Sequence, residues 1–475
     1  MKAVKYFVMG ALMIGFSGSV KAQDGTSADV NAVKNIISSK PADLDKQMKP
    51  FYKKNKKNGE NLVAFGRAFL EAKDTANAAA CARMALETVK NKMYAPAFLL
   101  LGDVASAGDD GGKAAEYYDQ AIYADPKNPD AYYRYALVYR KISPAGAVEK
   151  LRELKTQRPD IEVDEMIGRI YSLSLKYEDA IKAWNNVPIE KMDRANIVEY
   201  AVANYFLGRH QDGLDVAKKG LAVHPRAAAL NRIAMMTSSE LKNFEEAEKF
   251  GHNLFNNSDS AKISSVDYYY FGIVYDGLKM YDKAIEQYLQ ALSTTDESSL
   301  IKRENILKKL SDTYSEKQDF VNAIIRYKDY LGAVAKPSAN DYAALGSLHM
   351  QHGASLTGDA KTEAFKKADA AYADLAQRFE DAADYATLMR ARANVQLDPE
   401  TKEGLALPYY EKLIELISPK SDYSASDKAR LIESYRYMIA YYYITKDDKD
   451  KATEFAQKLI AIDPENAIAK QLLGM

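Results

Sequence analysis

Histidine side chains can bind metal ions, so we consider their spacing in this chain first. Among the five in the sequence, His349 and His352 lie three residues apart on a predicted helix, with Asp359 in the segment that follows. Side chains three apart share one helical face, so a metal ion could be held there in principle. Two imidazoles and one mobile carboxylate fall short of a closed structural site, which takes about four ligands. We therefore expect no metal site and interpret His349 as a core residue.

Candidate nucleophiles and acids give no catalytic arrangement either. Cys81, the only cysteine, lies in ANAAACARMAL, a run of small residues where a thiol behaves as a small buried hydrophobe. The sequence contains no Gly-x-Ser-x-Gly elbow, phosphate-binding glycine loop or dinucleotide fingerprint. Acidic pairs at 109–110 and 447–448 lie in predicted turns, whereas paired catalytic carboxylates need a cleft. We expect no enzyme and no cofactor.

The N-terminus has the layout of a secretory signal. Lys2 and Lys5 precede an apolar run over residues 6–16, and the small and aliphatic residues that follow predict cleavage after Ala22. The run is shorter than the roughly 20 apolar residues that cross a membrane. A lipoprotein signal would need a cysteine at the cut, so no lipid anchor is expected, and no transmembrane segment after cleavage. These features predict export across the inner membrane, to a periplasmic or envelope-associated location.

The nearly equal numbers of basic and acidic residues limit the kinds of partner that the chain is expected to bind. Lys and Arg total 65 against 66 for Asp and Glu, so the basic field on which nucleic-acid binding depends is not expected. The one local exception is the basic run at residues 53–57, which we interpret as a solvated helix end facing the negative pole of the helix dipole. A single cysteine forms no disulfide within the chain, so stability must come from packing.

A periodic pattern of large and small residues runs along most of the chain. Two stretches fill it in the same order, namely Phe98, Leu101, Gly102, Ala114, Tyr118, Ala121 and Pro126, then Tyr268, Phe271, Gly272, Tyr275, Ala284, Tyr288 and Ala291. The pattern resembles the tetratricopeptide repeat family, whose unit is about 34 residues of helix, turn and helix. The resemblance implies an all-α fold, a right-handed α-solenoid (superhelix) of about eleven helix-turn-helix repeats from Gly59 to Asn466.

The spacing has a mechanical cause. Large and small positions three, four and seven apart lie on one helical face and give each helix an apolar stripe. Gly102 and Gly272 leave room for two helix axes to approach closely, and Tyr118 and Tyr288 are expected to fill the volume beside them. Overfilling such a small position should cost about 1–3 kcal/mol.

Departures from the period suggest the domain organisation. We assign residues 1–22 to the signal, 23–58 to a linker and capping helices, 59–336 to the regular solenoid and 337–475 to an irregular part with longer turns and a C-terminal cap. Between residues 348 and 368 the turn is expected to be longer by about ten residues, because extra length in repeat arrays goes into loops. A second solenoid segment and one continuous stack with longer turns both remain open.

Function is expected on the first helices, which in this family line the concave surface. Tyr and Arg dominate many interfaces because each offers a stiff contact area with a polar tip. The first hypothesis is a non-catalytic scaffold or adaptor that binds a protein or peptide in the bacterial cell envelope. The alternative is a glycan-binding nutrient-capture protein with a tetratricopeptide-containing fold. The predicted partner-binding residues are Tyr133, Arg140, Arg169, Tyr205, Arg232, Tyr269, Tyr437 and Tyr441.

Overall fold

The computed structural model describes residues 27–475, and their regular structure is helical throughout. The predicted signal at residues 1–22 lies outside the described residues. Two helices, α1 and α2, precede eleven helix pairs, here called repeats 1 to 11, and a last helix, α25, follows them. Within the described residues the pairs begin at Gly59 and end at Ile462, so the predicted number of repeats and the all-α solenoid are confirmed.

The chain divides into two compact units, which meet in sequence between Lys262 and Ile263. In unit 1, α1 (Ala28–Ser39) and α2 (Leu44–Asn55) come first, and repeats 1 to 6 follow as α3 (Gly59–Glu71) with α4 (Thr75–Leu86), α5 (Ala95–Ala107) with α6 (Gly111–Ala124), α7 (Pro129–Tyr139) with α8 (Pro144–Gln157), α9 (Val163–Leu173) with α10 (Tyr177–Trp184), α11 (Arg194–Phe206) with α12 (His210–Val223), and α13 (Ala228–Glu240) with α14 (Phe244–His252).

Unit 2 holds the remaining five repeats. They are α15 (Ser265–Gly277) with α16 (Tyr281–Thr294), α17 (Arg303–Glu316) with α18 (Phe320–Ala333), α19 (Ala339–Ala354) with α20 (Gly358–Arg378), α21 (Ala383–Leu397) with α22 (Leu407–Ile417), and α23 (Ala425–Ala440) with α24 (Lys449–Ile462), before α25 (Ala467–Leu473). Short 3-10 turns occupy Ile189–Lys191 and Glu380–Ala382, and π-helical turns occupy Asn253–Asn257 and Tyr441–Thr445. Among residues 27–475, none of the helices combines the length and the apolar character that spanning a bilayer requires.

In several repeats, the turn between the two helices is set by a helix-ending motif in which the left-handed residue is not glycine. One residue with a left-handed backbone precedes the second helix, as at Lys73 (φ 64°), Leu175 (φ 59°) and Lys279 (φ 58°). The next amide then donates to a carbonyl five residues back, as Asp74 N–H does to the Phe69 carbonyl at 2.9 Å. This bond satisfies a carbonyl at the helix end and fixes where the second helix begins.

Close contact between glycine and tyrosine sets how the two helices of a repeat pack. A Cβ at Gly102 would lie 2.3 Å from Tyr118 Cε1, and one at Gly272 would lie 2.5 Å from Tyr288 Cε1. Both rings are nearly inaccessible, at 2% and 0% exposure. Only glycine therefore fits beneath each ring, which is the physical cause of the large and small pattern in the sequence.

One prediction about the irregular part is wrong. The extra residues between 348 and 368 do not form a long turn, because α19 continues to Ala354 and α20 begins at Gly358 and runs for 21 residues. The added stretch, KTEAFKKADAA, consists mostly of Ala, Lys and Glu, which are strong helix formers. Insertion here lengthened a helix, since local propensity favoured helix over loop.

Candidate functional site

The first helices of repeats 3, 4 and 5 bring charged and polar side chains together in unit 1. Helix α7 contributes Tyr133, with Arg140 at its C-terminal end, α9 contributes Glu165 and Arg169, and α11 contributes Asn196 and Glu199. We call these six residues the polar cluster. Their proximity is evident because Glu165, Arg169, Glu199 and Arg140 all act electrostatically on the Tyr133 hydroxyl.

Hydrogen bonds and an ion pair link α9 to α11 within the polar cluster. The Arg169 guanidinium lies 3.4 Å from Glu199 Oε1 and donates to Asn196 Oδ1 at 3.2 Å. Asn196 in turn donates to Glu165 Oε1 at 2.6 Å, and the Asp193 amide donates to the same oxygen at 2.7 Å. Glu165 is thereby held by two donors from the N-terminal end of α11.

Glu199 is the most deeply buried charged group of the polar cluster. Its side chain is 8% exposed, and Arg169, its ion-pair partner, is 13% exposed. Burial raises the pKa of Glu199 above its ordinary value, against the lowering influence of Arg169 and of the Ser172 hydroxyl. Its second oxygen, Oε2, is buried with no hydrogen-bond partner in the structure. A buried carboxylate oxygen without a hydrogen-bond donor lowers the stability of the fold.

Arg140 shows the same incomplete pairing on the neighbouring helix, close to Tyr133. Arg140 donates one hydrogen bond, to the Leu137 carbonyl of its own helix at 3.0 Å, and its buried Nε has no acceptor. Burial and then the nearby Arg169 lower the pKa of Arg140. Burial raises the pKa of Tyr133 to about 12, so its hydroxyl stays protonated and able to donate. These groups could donate hydrogen bonds to an incoming carbonyl or carboxylate oxygen.

The packing below the polar cluster holds α9 in place. Trp184 is fully buried, and its indole N–H donates to the Glu165 backbone carbonyl at 3.2 Å. A Cβ at Gly168 would lie 2.4 Å from Trp184 Nε1, so only glycine allows the indole to sit against α9. The Trp184 ring also contacts Tyr200 of α11, with 5.6 Å between centroids. One indole therefore fixes the positions of both helices that carry the ion pair.

Three further predicted residues lie elsewhere, each with its own contacts. The Tyr205 hydroxyl donates to Glu240 Oε1 at 3.4 Å. Arg232 donates to the Lys262 carbonyl at 3.0 Å. Tyr269 belongs to unit 2 and its ring lies 5.8 Å from that of Tyr288. Among the predicted residues, Tyr133, Arg140 and Arg169 lie together in the polar cluster.

Tyr437 and Tyr441 do not lie on an exposed face, so the prediction that they line a binding surface is corrected. They are 8% and 6% exposed and belong to the core of repeats 10 and 11. One cause is the loop after α21, whose course the first-helix register does not predict. Asp398 Oδ2 accepts the Gly404 amide at 2.7 Å and curls this loop, so that Gly404 lies against the Tyr441 ring.

An open groove of about 880 Å³ lies within unit 2. The N-terminal parts of α19, α21 and α23 and the end of α20 form its walls. Phe379 and Tyr385 supply aromatic surface, and Arg378 and Arg430 supply guanidinium groups. Arg430 forms an ion pair with Asp384, another residue of the wall. Volumes of about 300–1,000 Å³ are typical of small-molecule pockets, so the groove is large enough for a ligand.

His349 and Cys81, two other residues that could have done chemistry, are buried. His349 is 5% exposed, and burial lowers its pKa to about 4, as expected of a core position. Its Nδ1 has no hydrogen-bond partner. Cys81 is fully buried, 3.7 Å from the Tyr52 hydroxyl, and burial raises its pKa to about 11. In the part of the chain described, no three His, Cys, Asp or Glu side chains are grouped so as to hold a metal ion.

Sequence reasoning missed Glu165, Asn196 and Glu199. For Glu199 a signal existed, because it is the only charged residue in NIVEYAVANYF, an otherwise largely apolar first helix. A charge in such a segment is either paired or functional, since isolated burial is costly. Glu199 is neither aromatic nor an arginine, so a prediction based on Tyr and Arg does not include it.

Comparisons with known proteins agree with the repeats seen in the structure. Family models described as tetratricopeptide repeat match residues 95–128, 117–155 and 433–466, which fall in repeats 2, 3 and 11. No curated protein matches the chain significantly.

Among solved structures, the chain is similar to the C-terminal part of a TPR repeat-containing protein from Cytophaga hutchinsonii. The two are 26% identical over 58% of this chain and 100% of the other, with a TM-score of 0.45. It is also similar to a tetratricopeptide repeat protein from Parabacteroides merdae, at 15% identity over 54% and 98% of the two chains and a TM-score of 0.35.

The family models match two separate regions, residues 95–155 and 433–466, and both carry the helix, turn and helix geometry of the repeat. The same geometry recurs eleven times in the described residues. The chain contains tetratricopeptide repeats in these regions.

Proposed function

We propose that this repeat scaffold is a non-catalytic adaptor that binds a protein or peptide segment across the first helices of repeats 3 to 5. Tetratricopeptide repeats are scaffolds for protein interactions, and the polar cluster gives this one a specific place for contact. Two buried atoms of the polar cluster without hydrogen-bond partners carry the proposal, Oε2 of Glu199 and Nε of Arg140. Groups of this kind cost stability in the free protein and are satisfied when a partner supplies the missing atoms.

A peptide is the ligand that suits both needs. Glu199 Oε2 requires a hydrogen-bond donor, whereas Arg140 Nε requires an acceptor. Each peptide group carries one N–H and one carbonyl, so a single extended segment provides both kinds of partner. An acidic side chain or C-terminal carboxylate near Arg140 would also offset the lowered pKa of that guanidinium.

The proposal is tested with protein from Gln23 onward, immobilised and exposed to envelope extract and to a random peptide library. Arg140→Ala and Tyr133→Phe should each weaken retention of the captured polypeptide by about tenfold, the size of a lost charge-assisted bond. Arg140 is suited to this test because its one hydrogen bond is to its own helix. The matched control is Arg152→Ala, an exposed arginine on second helix α8. Retention that is absent, or that is equal in all four proteins, would refute the proposal.

The adaptor is proposed to act in the cell envelope, on the evidence of residues 1–22 alone. Lys2, Lys5, the apolar run and Ala22 support cleavage and export. Mass spectrometry of the protein recovered from periplasm should find Gln23 as the first residue. Recovery of intact Met1 from the cytoplasm would contradict this assignment.

Glycan binding is the second candidate, and the groove of unit 2 is the observation that favours it. Its wall combines aromatic rings, as in Phe379 and Tyr385, with planar polar groups, as in Arg378 and Asn340. Aromatic faces with a few convergent polar groups are typical of such ligand sites. A glycan array should then show binding that Tyr385→Ala abolishes and Arg140→Ala leaves unchanged. Capture of a polypeptide with a silent array would leave the adaptor as the function.

A further inference from the structure

The N-terminal helices carry a concentration of positive charge that contrasts with the rest of the chain. Residues 27–58 contain eight lysines and three aspartates, a net charge of +5 in a chain whose total is −1. Among the described residues, Lys54 pairs with Asp29 at 2.7 Å, and the other seven lysines of this segment form no ion pair. Most of this charge is therefore not neutralised by the fold.

Five of these lysines form one straight stripe on α2 and its C-terminal turn. Lys46, Lys49, Lys53 and Lys56 follow at intervals of three and four, so they share one helical face, and Lys57 lies beside them. All five are exposed. At 1.5 Å per residue the stripe is about 16 Å long. We call these five residues the lysine stripe.

The opposite face of α2 is fixed to the body of unit 1, which orients the lysine stripe outward. Met48 is 1% exposed, and the Phe51 ring packs edge-on against Phe65 of α3 at 6.4 Å. Tyr52 contacts Cys81 of α4. Because these contacts leave α2 no freedom to rotate, the lysines remain on the outer surface.

Few acids oppose the lysine stripe. On α2 itself they are Asp45 and the N-cap residue Asp43, both at the first turn, and Asp43 already accepts a hydrogen bond from Gln47 at 2.7 Å. From the packed elements, Asp29 of α1 is paired with Lys54, and Glu60 lies at the start of α3. The stripe from Lys49 to Lys57 thus keeps its positive field.

We propose that the lysine stripe docks unit 1 onto an anionic phospholipid surface. The stripe contains no arginine, whose rigid fork reads single carboxylates or phosphates, and no exposed aromatic side chain of the kind that anchors protein or nucleic-acid partners. Compact, mobile ammonium groups in a flat row suit the diffuse potential of many phosphate head groups, which requires no exact register. Each lysine near such a surface strengthens binding by about fivefold.

The experiment measures co-sedimentation of the protein from Gln23 onward with vesicles of phosphatidylglycerol and phosphatidylcholine in equal parts. We expect binding that is lost on pure phosphatidylcholine and falls steeply as salt rises above about 0.1 M, where charges are screened beyond about 10 Å. Changing Lys49, Lys53 and Lys56 together to Glu should lower the partition coefficient at least tenfold. Circular dichroism should be unchanged, since all three side chains are exposed.

The matched control changes Lys219, Lys366 and Lys428 to Glu, which alters net charge equally at exposed lysines elsewhere. This control should keep its partition coefficient within about twofold, because distant charges are screened. Absence of binding to phosphatidylglycerol, or equal loss in both triple variants, would overturn the proposal. Tighter retention on polyglutamate or duplex DNA than on the vesicles would overturn the choice of lipid as the partner.

Discussion

The polar cluster of unit 1 and the charged residues of repeats 9 to 11 in unit 2 handle buried charge differently. In unit 2, Asp369 receives two hydrogen bonds from Arg390, at 2.9 and 3.2 Å, and Asn394 adds a third at 3.1 Å. In unit 1, Glu199 meets Arg169 at 3.4 Å and keeps one oxygen without a partner. Saturated pairs stabilise a fold, whereas unsaturated ones leave bonding capacity for something else.

The packing beneath the two regions is the same, which makes the comparison informative. Trp184 lies on Gly168 in unit 1 and Tyr372 lies on Gly346 in unit 2, with both rings fully buried. The charged side chains above this contact are what differ between the two regions. Variants that separate charge from packing can test whether unsaturated pairing, and not a weaker scaffold, distinguishes unit 1.

The largest effect is expected from Arg169→Ala. Removing the guanidinium leaves the Glu199 carboxylate buried without its counter-ion, which should lower the free energy of unfolding by about 3 kcal/mol. Urea unfolding, monitored by hydrogen exchange in peptides from α9 and α11, measures this loss in the free energy of unfolding. The double variant Arg169→Ala/Glu199→Gln should be clearly more stable than Arg169→Ala alone. If the second change restores nothing, the loss comes from packing and the charge argument fails.

Acid should relieve the same variant. Burial raises the folded-state pKa of Glu199 above its unfolded value, so the folded state binds the proton more tightly and stability falls as pH rises through that window. Without Arg169, which lowers this pKa, the window extends further upward. The destabilisation of Arg169→Ala should therefore shrink between pH 8 and pH 5, and Glu199→Gln should abolish that trend.

The second effect is the opposite pH response of His349 in unit 2. Burial lowers its pKa to about 4, so the unfolded state binds the proton more tightly, and stability is lost as pH falls from 6.5 toward 4. Between pH 8 and pH 5 this group should cost unit 2 about 2 kcal/mol. Hydrogen exchange of α19 in the wild type and in His349→Gln measures the difference. A pH profile for α19 that the substitution leaves unchanged would mean that His349 is not the sensor.

A third variant tests whether the packing is equivalent in the two units. Gly168→Ala places a Cβ 2.4 Å from the Trp184 ring and should cost about 1–3 kcal/mol, and Gly346→Ala should cost a similar amount against Tyr372. Gly332 near the end of α18 has nothing within 4 Å, so Gly332→Ala should be neutral or stabilise by up to about 1 kcal/mol. Thermal unfolding of the three variants ranks them by their loss or gain of stability. Costs that differ widely between Gly168 and Gly346 would show that the scaffolds are not alike.

Repeat architecture could be predicted from the sequence because its cause is local. Gly102 and Tyr118 are sixteen residues apart and recur as Gly272 and Tyr288, so their contact leaves a regular trace. The helix-ending turns could not be predicted, since Lys73, occupying a left-handed position, carries no such mark.

The candidate site was harder to predict because it depends on distances between repeats. Arg169 and Glu199 are thirty residues apart, and no period distinguishes an arginine that meets a buried carboxylate from one that is solvated. Tyr437 and Tyr441 follow the first-helix register, yet a curled loop covers them. Loop direction is set by side-chain bonds such as those of Asp398, and the register of helices does not encode it.

The smallest effect is expected where the comparison predicts almost none. Arg392 donates two hydrogen bonds to Glu433, at 2.9 and 2.7 Å, and the pair has ideal geometry but is 47% and 31% exposed. Water solvates both partners once the pair is broken, so Arg392→Ala should lower the free energy of unfolding by about 0.2–1 kcal/mol. Urea unfolding of Arg392→Ala and of Arg169→Ala shows which variant loses more unfolding free energy. If the exposed pair with good geometry proves as costly as the buried pair with poor geometry, then pairing geometry matters more than burial, and the unpartnered Glu199 oxygen loses its significance as a mark of a binding site.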